Sequence, residues 1–302
     1  MRVDKVVSGG TTLVLFDGEP SGDDVEEVLD TTGIALVRGL GIDTPDRFHA
    51  AVGDHGEPLD SYRGGNTPRT KVSDGIFTST EYPPEYEISL HNELSYARTW
   101  PSRLFFCCLV APADGGETPV CDGRALLNGL DAEVRDRFTE HGVLYRQHLH
   151  GGYGLGKSWQ QTFETDDKSE VERFLADADM RWEWTEDGLR TAAVRPATLT
   201  RPGHGEVWFN QADQWHPSTL PPDEHAALLE LVDSEEDLPQ SAAYGDGTPI
   251  SPADLDHVRQ VARSHEVAVP WQPGDLLIVD NVLALHGRRP FRGPRRILVA
   301  MT

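Results

Sequence analysis

The sequence predicts an α+β protein that is mainly β, with a core of two β-sheets and helices inserted between the strands. Short apolar or alternating runs recur along the chain and are separated by turn residues, as is typical of sheet proteins. Strands and helices do not alternate regularly, so a parallel sheet is not indicated. The 302 residues contain no internal repeat and no low-complexity linker, and all-β enzymes of this length often form one domain. We expect a single domain over residues 1–302.

The first half of the chain contains two predicted helices among strands. Ser21 and the acidic residues after it predict a helix over 21–31, and Thr44-Pro45 predicts another through about Val52. Residues 60–76 are polar and rich in turn formers, and we interpret them as a flexible lid loop. Predicted strands cover 33–39, 88–96 and 101–110.

The second half of the chain continues this pattern with more helices. Predicted helices cover about 124–140, 169–178, 222–233 and 252–264. Asp187-Gly188 indicates a hairpin between two short strands. Further predicted strands cover 143–150, 206–211, 275–280 and 296–301. We interpret 220–265 as a helical insertion.

Composition limits the kinds of partner. The 50 acidic and 27 basic residues give a formal net charge of -23, which repels nucleic acid and anionic lipid. We therefore expect a small-molecule substrate, with no nucleic-acid or membrane partner. The chain start lacks a secretory signal, and no apolar run approaches the roughly 18 residues that cross a bilayer. The three cysteines have no CxxC spacing, which fits a cytoplasmic protein, and Cys107 and Cys108 are interpreted as core residues.

A candidate metal site begins at His91-Asn92-Glu93, within the strand predicted over 88–96. On a strand, residues i and i+2 point to the same face, so that both side chains can reach one ion. A distant histidine, His286, follows an apolar strand and would complete two imidazoles and one carboxylate. This set suits non-heme Fe(II) and leaves three coordination positions open, two for a 2-oxo acid and one for O2. The sequence therefore predicts His91, Glu93 and His286 as ligands of Fe(II).

Other histidines offer rival metal sites. Two further triplets, His55-Gly-Glu57 and His204-Gly-Glu206, have a central glycine and are interpreted as turns. The pair His148-Leu-His150 lies on a predicted strand, but no acidic partner follows at short range. We interpret this pair as structural, and a zinc enzyme that uses it remains an alternative.

The run that follows His286 predicts a site for a dicarboxylate. A basic turn leads to Arg295-Arg296, where the last strand begins. A planar guanidinium can bind the distal carboxylate of 2-oxoglutarate through two parallel hydrogen bonds. Because neighbouring residues on a strand face opposite sides, only one of the two arginines can face inward.

At these residues the chain resembles the taurine dioxygenase-like (TauD/TfdA) superfamily of Fe(II)/2-oxoglutarate-dependent dioxygenases, and most closely its syringomycin-type (SyrP-like) natural-product hydroxylases. The resemblance covers most of the chain, from about residue 33 to 301. The matching segments are 78–83, 90–96, 115–119, 208–211, 244–247 and 286–296.

The resemblance implies a double-stranded β-helix (jelly-roll) core and a cosubstrate, 2-oxoglutarate, held by Thr118 and Arg296. It implies that 2-oxoglutarate is decarboxylated to succinate and CO2 while an unactivated C–H bond is hydroxylated; desaturation or epoxidation would use the same iron. Ala300 stands where the taurine enzymes carry a sulfonate-binding arginine, so taurine is not expected. Family halogenases replace the carboxylate ligand by a small residue, so Glu93 disfavours halogenation. The implied substrate is an amino acid or amino-acid-derived natural-product intermediate, free or bound to a carrier protein.

Five residues near the expected mouth of the site are candidate substrate contacts. They are Tyr62, Arg63, Asn92, Asn210 and Trp215.

A competing interpretation comes from residues 151–158, a full match to the phosphate-binding pattern GxxxxGK[ST]. That motif needs a parallel strand before it and a helix whose N-terminus meets the phosphates. The helical stretch after Ser158 is short, and no repeated strand–helix alternation accompanies it. A P-loop NTPase and a non-catalytic cupin-like binding protein remain the alternatives from other functional classes.

Overall fold

The computed structural model describes residues 1–61, 64–65, 69–232, 234 and 237–302. These residues form strands β1 (Arg2–Ser8), β2 (Thr11–Asp17), β3 (Ile34–Arg38), β4 (Lys71–Ser73), β5 (Ile76–Thr78), β6 (Ile88–His91), β7 (Arg103–Val110), β8 (Asp114–Gly115), β9 (Val120–Asp122), β10 (Val143–His150), β11 (Arg181–Trp184), β12 (Gly188–Arg195), β13 (Thr198–Arg201), β14 (Gly205–Trp208), β15 (Gln240–Tyr244), β16 (Leu276–Asp280), β17 (Ala284–Arg288), β18 (Phe291–Arg292) and β19 (Arg296–Met301). They also form helices α1 (Gly22–Thr32), α2 (Pro45–Gly53), α3 (Gly123–Gly129), α4 (Ala132–His141), α5 (Trp159–Phe163), α6 (Lys168–Asp177), α7 (Ala212–Trp215), α8 (Pro222–Leu229) and α9 (Pro252–His265), with a 3-10 turn at Pro217–Thr219.

The largest sheet has eight strands in the order β1-β2-β3-β16-β7-β19-β5-β4. Its neighbouring strands are antiparallel except for β2 and β3, which run parallel. Helices α1 and α2 cover one face of this sheet with buried apolar residues such as Leu29 and Phe48. This largely antiparallel arrangement agrees with the absence of a predicted parallel sheet.

The other face of the large sheet packs against a three-stranded sheet with the order β6-β17-β9. Phe106 and Val299 from the large sheet share one apolar cluster with Val120 and Ala284 from the small sheet. Two facing sheets therefore enclose the core, as expected for a double-stranded β-helix. The strand β17, which carries His286, lies in the middle of the small sheet.

Helices and a further sheet cover the outer side of the small sheet. The apolar cluster there joins residues of α3, α4 and α9 with Tyr145 of β10 and Leu285 of β17. Strands β11-β12-β10-β15 form an antiparallel four-stranded sheet, which includes the predicted hairpin. This layer fixes β17 from behind, because Leu285 packs outward while the neighbouring Ala284 packs inward.

Several helix starts follow their predicted caps. The Ser21 hydroxyl accepts a hydrogen bond from Asp24 N, and the Asp24 carboxylate accepts one from Ser21 N, so that a capping box opens α1. At the start of α2 the Thr44 hydroxyl accepts a hydrogen bond from Arg47 N, and Pro45 lies in the first turn. These predictions succeeded because a capping residue acts through neighbours only three positions away.

Four predicted elements differ from the structure. The helix predicted over 124–140 is two helices, α3 and α4, because Leu130 has an extended backbone. The lid loop predicted over 60–76 ends in β4, which pairs with β5. The insertion at 220–265 contains β15 as well as α8 and α9. The fourth is the strand predicted over 88–96, which ends at His91.

Two further expectations concern the cysteines, interpreted as core residues, and the absence of an apolar run that crosses a bilayer. Cys107 and Cys108 are buried and unpaired in β7, and burial raises the pKa of each thiol to about 12, which confirms them as core residues. Among the residues that the structure describes, every helix is too short or too polar to span a lipid bilayer.

Candidate metal centre and cosubstrate cavity

Three buried side chains predicted as metal ligands come together between the two sheets. His286 on β17 pairs across the antiparallel strands with His91 at the end of β6. The Nε2 atoms of His91 and His286 lie 3.9 and 3.7 Å from Glu93 Oε2. In the described part of the chain, this is the one group of at least three His, Cys, Asp or Glu side chains that could hold a metal ion.

Glu93 reaches this site from a turn, so the prediction that it shares a strand with His91 is wrong. Leu94 has a left-handed backbone with φ of 55°, and the chain reverses there. The buried amide of Asn281 fixes the turn: its Oδ1 accepts from Glu93 N at 2.7 Å, and its Nδ2 donates to Glu93 O at 3.0 Å. Asn281 thus supplies the hydrogen bonds that a neighbouring strand would otherwise give.

Asn92 has a structural place rather than the predicted substrate contact. Its side chain is fully buried, and Nδ2 donates to Asn281 O at 2.7 Å and to Ala284 O at 3.3 Å. Asn92 therefore joins the turn that carries Glu93 to the start of β17, on the side away from the ligand atoms.

The charges at the centre suit a divalent cation. Burial and the neighbouring His91 lower the pKa of His286 well below its usual value, so this imidazole is neutral and can bind a metal. Burial opposes ionisation of Glu93, but Arg69, whose Nη2 lies 2.7 Å from Oε2, and His91 hold its pKa well below the usual range. An ionised carboxylate with two imidazoles is the donor set expected of a non-heme Fe(II) site, and the residues therefore fit this ion.

The orientation of His91 depends on contacts to its other ring nitrogen. His91 Nδ1 lies 2.9 Å from Ser89 O, and Gln214 Nε2 on α7 lies 2.8 Å from the same nitrogen and donates to Ser89 O at 3.3 Å. When Nδ1 carries the proton and donates it to Ser89 O, Nε2 is left as the metal-binding atom, and Gln214 packs against this contact. Gln214 is in turn hydrogen-bonded to Gln211, so its position is fixed.

Replacing Gln214 by alanine is expected to weaken Fe(II) binding by about 10-fold, since partners of ligand histidines typically contribute that much to metal affinity. The dissociation constant can be measured by anaerobic titration with Fe(II). The control Gln160→Ala removes an amide that donates to Gly151 O, and it should retain the affinity. Equal losses in both variants would contradict a role for Gln214 in orienting His91.

A cavity beside the centre, which we call the cosubstrate cavity, is lined by Ser79, His91, Thr118, His286, Arg288 and Arg295. Thr118 is held there because the residues on either side of it pair with β17: Gly287 N donates to Pro119 O, and Arg289 N donates to Glu117 O, each at 3.0 Å. Thr118 therefore lines the same cavity as His286.

The arginine that faces this cavity is Arg295, so the choice of Arg296 requires correction. Arg296 is exposed at the start of β19, whereas Arg295 donates to Gly116 O at 3.0 Å and to Ser79 Oγ at 3.2 Å. The physical reason is that Arg295 lies just before β19 and is held by Gly116 and Ser79, whereas Arg296 opens β19 where its pairing with β7 shifts register.

Arg295 is a half-buried cation without an anionic partner among the described residues. Among the described residues, no carboxylate oxygen lies within 4.0 Å of its guanidinium. Burial, and then the nearby Arg288, lower the pKa of Arg295 to about 10, so it remains charged near neutral pH. An anion bound in the cavity would relieve this unfavourable burial of charge. A distal carboxylate of 2-oxoglutarate fits that requirement.

Arg288 was not singled out from the sequence, although it lies in the basic run after His286. Its guanidinium donates to the carbonyl oxygens of Tyr82, Pro83 and Tyr86 and so ties segment 82–86 over the cavity. Gly287, the residue before it, lies where β6 and β17 approach closely; a Cβ there would be 2.6 Å from Ile88 O. The sequence could not separate Arg288 from the other arginines of the run.

The remaining substrate candidates are placed as follows. Asn210 is buried, donates to Ala197 O and accepts from Ala212 N, and it lines a cavity separate from the cosubstrate cavity. Trp215 packs between Tyr96 and Tyr145, and it also lines a separate cavity. Tyr62 and Arg63 lie outside the described residues.

The rival metal pair and the P-loop interpretation do not fit the structure. His150 Nδ1 accepts from Gly152 N at 3.1 Å, and His148 contacts Asp237 O and the exposed Asp187, so this pair has local structural partners. The strand before the GxxxxGK[ST] match, β10, is antiparallel to both its neighbours, and the helix after it, α5, has five residues. A P-loop requires a parallel strand and a full helix.

Comparison with known proteins gives the same picture. The model of the family described as "Taurine catabolism dioxygenase TauD, TfdA family" matches residues 9–302. The chain is 35% identical over 298 residues to the dapdiamide synthesis protein DdaC of Enterobacter agglomerans, covering 98% of this chain and 90% of that protein. It is 34% identical over 288 residues to a clavaminate synthase-like protein of Arabidopsis thaliana, covering 92% and 83%.

Solved structures support the fold. PvcB of Pseudomonas aeruginosa superposes with a TM-score of 0.56 at 17% identity, covering 99% of this chain and 90% of that chain. The structure of AAD-2 in complex with Mn(II) and N-oxalylglycine gives a TM-score of 0.56 at 14% identity, covering 100% and 97%. At these identities the likeness concerns the fold, and it confirms the double-stranded β-helix core with inserted helices.

Proposed function

This chain belongs to the taurine catabolism dioxygenase TauD, TfdA family, and from that membership we propose that it hydroxylates an unactivated C–H bond of an amino acid or an amino-acid-derived natural-product intermediate. It is a non-heme Fe(II)- and 2-oxoglutarate-dependent dioxygenase. The observation that carries the proposal is the buried group of His91, Glu93 and His286, next to a cavity that contains an uncompensated arginine.

We assign the iron to His91, Glu93 and His286. Iron, when bound, supplies the oxidising chemistry, in which 2-oxoglutarate and O2 are converted to succinate and CO2 while the substrate gains an oxygen atom. The chain's own part is to hold the ion. The two imidazoles and the carboxylate would hold the ion, and Arg69 keeps Glu93 ionised.

We assign the distal carboxylate of 2-oxoglutarate to Arg295 and Thr118. Both line the cosubstrate cavity together with His286. Arg295 offers a rigid, planar donor pair, and its Nε and Nη1 are already positioned by Gly116 O and Ser79 Oγ. Apolar Phe106, whose ring lies 5.1 Å from that of His286, shields the inner wall from water.

The choice of substrate rests on relatives. The dapdiamide synthesis protein, which shares 35% identity over 98% of this chain, supports a place in natural-product biosynthesis. Hydroxylation is the proposed outcome, and desaturation or epoxidation would need the same iron and cosubstrate. A cytoplasmic location is part of the proposal and is supported by the three unpaired cysteines.

An anaerobic titration tests the proposed site. Adding Fe(II) and then 2-oxoglutarate to the protein is expected to produce a weak visible charge-transfer band, and admitting O2 should then yield succinate. ATP with Mg2+ serves as the comparison for the P-loop alternative and should show no turnover. Failure to form the band with both additions present would overturn the proposal.

A further inference from the structure

A second cavity of about 560 Å³ lies on the other side of Arg69 from the cosubstrate cavity. We call it the charged chamber, and its charged lining residues are Asp60, Arg69, Lys71, Glu81, Lys157 and Glu164. Arg69 lines both cavities, and its Nη2 lies 2.7 Å from Glu93 Oε2, so this one side chain links the lining of the chamber to the metal centre. The chamber contains both positive and negative side chains, whereas the whole chain is strongly acidic, with a formal net charge of -23.

Most charged groups of the chamber already have partners. Lys71 lies 3.2 Å from Asp74 and 4.0 Å from Asp60. The Glu81 carboxylate accepts hydrogen bonds from Thr70 and Thr78 at 2.8 and 2.9 Å. The chamber is therefore not a random collection of charges, because these groups satisfy each other at its wall.

Lys157 is the exception. It lies in the glycine-rich 151–158 segment, and its Nζ donates to Gly65 O at 2.8 Å. Within the described ranges, no carboxylate oxygen lies within 4.0 Å of this nitrogen. Burial lowers the pKa of Lys157, while the more distant Glu164 opposes that shift. An ammonium has three N–H donors, so two remain for a ligand.

We propose that the charged chamber binds the substrate and that Lys157 holds a free carboxylate of it. This inference rests on the proposed oxygenase function and narrows its substrate class. A carboxylate supplies the anion that Lys157 lacks, and charge-assisted hydrogen bonds of this kind are the strong ones. The acidic Glu164 in the same chamber suits the ammonium group of an amino acid. The substrate is thus a free amino acid or amino-acid derivative, and not a thioester on a carrier protein, which has lost that carboxylate.

Free acids and thioesters can be compared directly. The probes are the common L-amino acids and their N-acetylcysteamine thioesters, incubated with the Fe(II)-loaded protein, 2-oxoglutarate and O2. Succinate formed above the level without probe is measured. We expect at least one free acid to stimulate succinate formation, and its thioester to need a concentration at least about 10-fold higher. A thioester that stimulates as well as its acid, or a panel without a stimulating acid, would overturn the proposal.

Variants of Lys71 and Lys157, the two lysines of the chamber, distinguish the loss of carboxylate recognition from a general loss of protein structure. Lys157→Met should raise the KM for the stimulating acid by about 10- to 100-fold and change kcat less, because a charged hydrogen bond is lost. Lys157→Arg, which keeps the positive charge, should restore much of the affinity. Lys71→Met is the matched control, since Lys71 is already paired with Asp74, and its KM should stay within about 2-fold. An unchanged KM in Lys157→Met contradicts the inference.

The failure of this inference is distinguishable from failure of the proposed function. The visible band formed by wild-type protein with Fe(II) and 2-oxoglutarate, and the slow succinate formation without probe, report on the iron and cosubstrate sites alone. If both are present while free acids have no effect, the chamber proposal is wrong and the oxygenase proposal stands. If both are absent, the oxygenase proposal itself fails.

Discussion

Replacing Glu93 by alanine is expected to abolish succinate formation and to lower the affinity for Fe(II) by more than about 100-fold. Glu93 supplies the carboxylate of the candidate centre, and its Oε2 lies less than 4 Å from both imidazole Nε2 atoms. Without it, the two imidazoles remain beside the buried guanidinium of Arg69. That cation would repel Fe(II) once its carboxylate partner is gone. Bound iron per chain and succinate yield are the measurements.

A matched control separates the loss of a metal ligand from the loss of a buried ion pair. Asp275 is also a buried carboxylate paired with an arginine, Arg38, but it lies outside the candidate centre. Breaking such a pair typically destabilises a protein by several kcal/mol. Asp275→Ala should therefore lower the Tm, as Glu93→Ala does, but the folded fraction should still bind iron. Iron binding and succinate formation that survive in Glu93→Ala would remove Glu93 from the centre.

The identity of the three candidate ligands was accessible from sequence, but the geometry that joins them was not. His91 and Glu93 were chosen because a strand places i and i+2 on one face. The structure ends β6 at His91 and places Glu93 on a turn that Asn281 holds from 188 residues away. A local pattern cannot show that a distant amide replaces a strand partner. His91 and Glu93 still meet, because both a strand and this turn bring positions i and i+2 together.

Helix starts and strand boundaries were predictable where their causes are local. Ser21, Thr44 and Ser251 each cap the helix that follows them. The break between α3 and α4 at Leu130 was not predicted although local residues mark it, since Gly129 ends α3 and Asp131 occupies the N-cap position of α4. The N-terminal hairpin of β1 and β2 was not predicted either. Its outer strand, β1, exposes the apolar residues Val3 and Val7, so the apolar residues of this segment do not mark a buried face of a strand.

The 151–158 segment shows how a motif can match in letters and differ in structure. Its glycines form a turn between antiparallel β10 and the short α5, and Ser158 serves as the N-cap of that helix. Its Lys157 reaches the carbonyl oxygen of Gly65 rather than a nucleotide site. Only the tertiary arrangement shows that this lysine lines the same cavity as Arg69, the partner of Glu93, because the sequence separation of Lys157 from Glu93 is 64 residues.

The choice between Arg295 and Arg296 yields the second large expected effect. Arg295→Ala should raise the 2-oxoglutarate concentration needed for half-maximal succinate formation by about 100-fold, because a buried charged partner of a carboxylate is removed. The measurement is the KM for 2-oxoglutarate at saturating Fe(II), together with the concentration at which the visible band is half formed. Both readouts should shift by a similar factor, since the guanidinium acts on binding rather than on the oxidation step.

Arg296→Ala is the matched control. It removes the arginine next to Arg295 in the sequence, whose side chain lies outside the lining of the cosubstrate cavity. Arg296 is exposed, so its removal should change the 2-oxoglutarate requirement by no more than about 2-fold. The sequence could not make this distinction, because the residues that follow, 297–301, are apolar on both sides of the strand and give no alternation to read. If Arg296→Ala gives the large shift and Arg295→Ala gives the small one, the side of β19 that faces the cosubstrate cavity has been assigned wrongly. Arg295 is then not the carboxylate partner, whatever its burial.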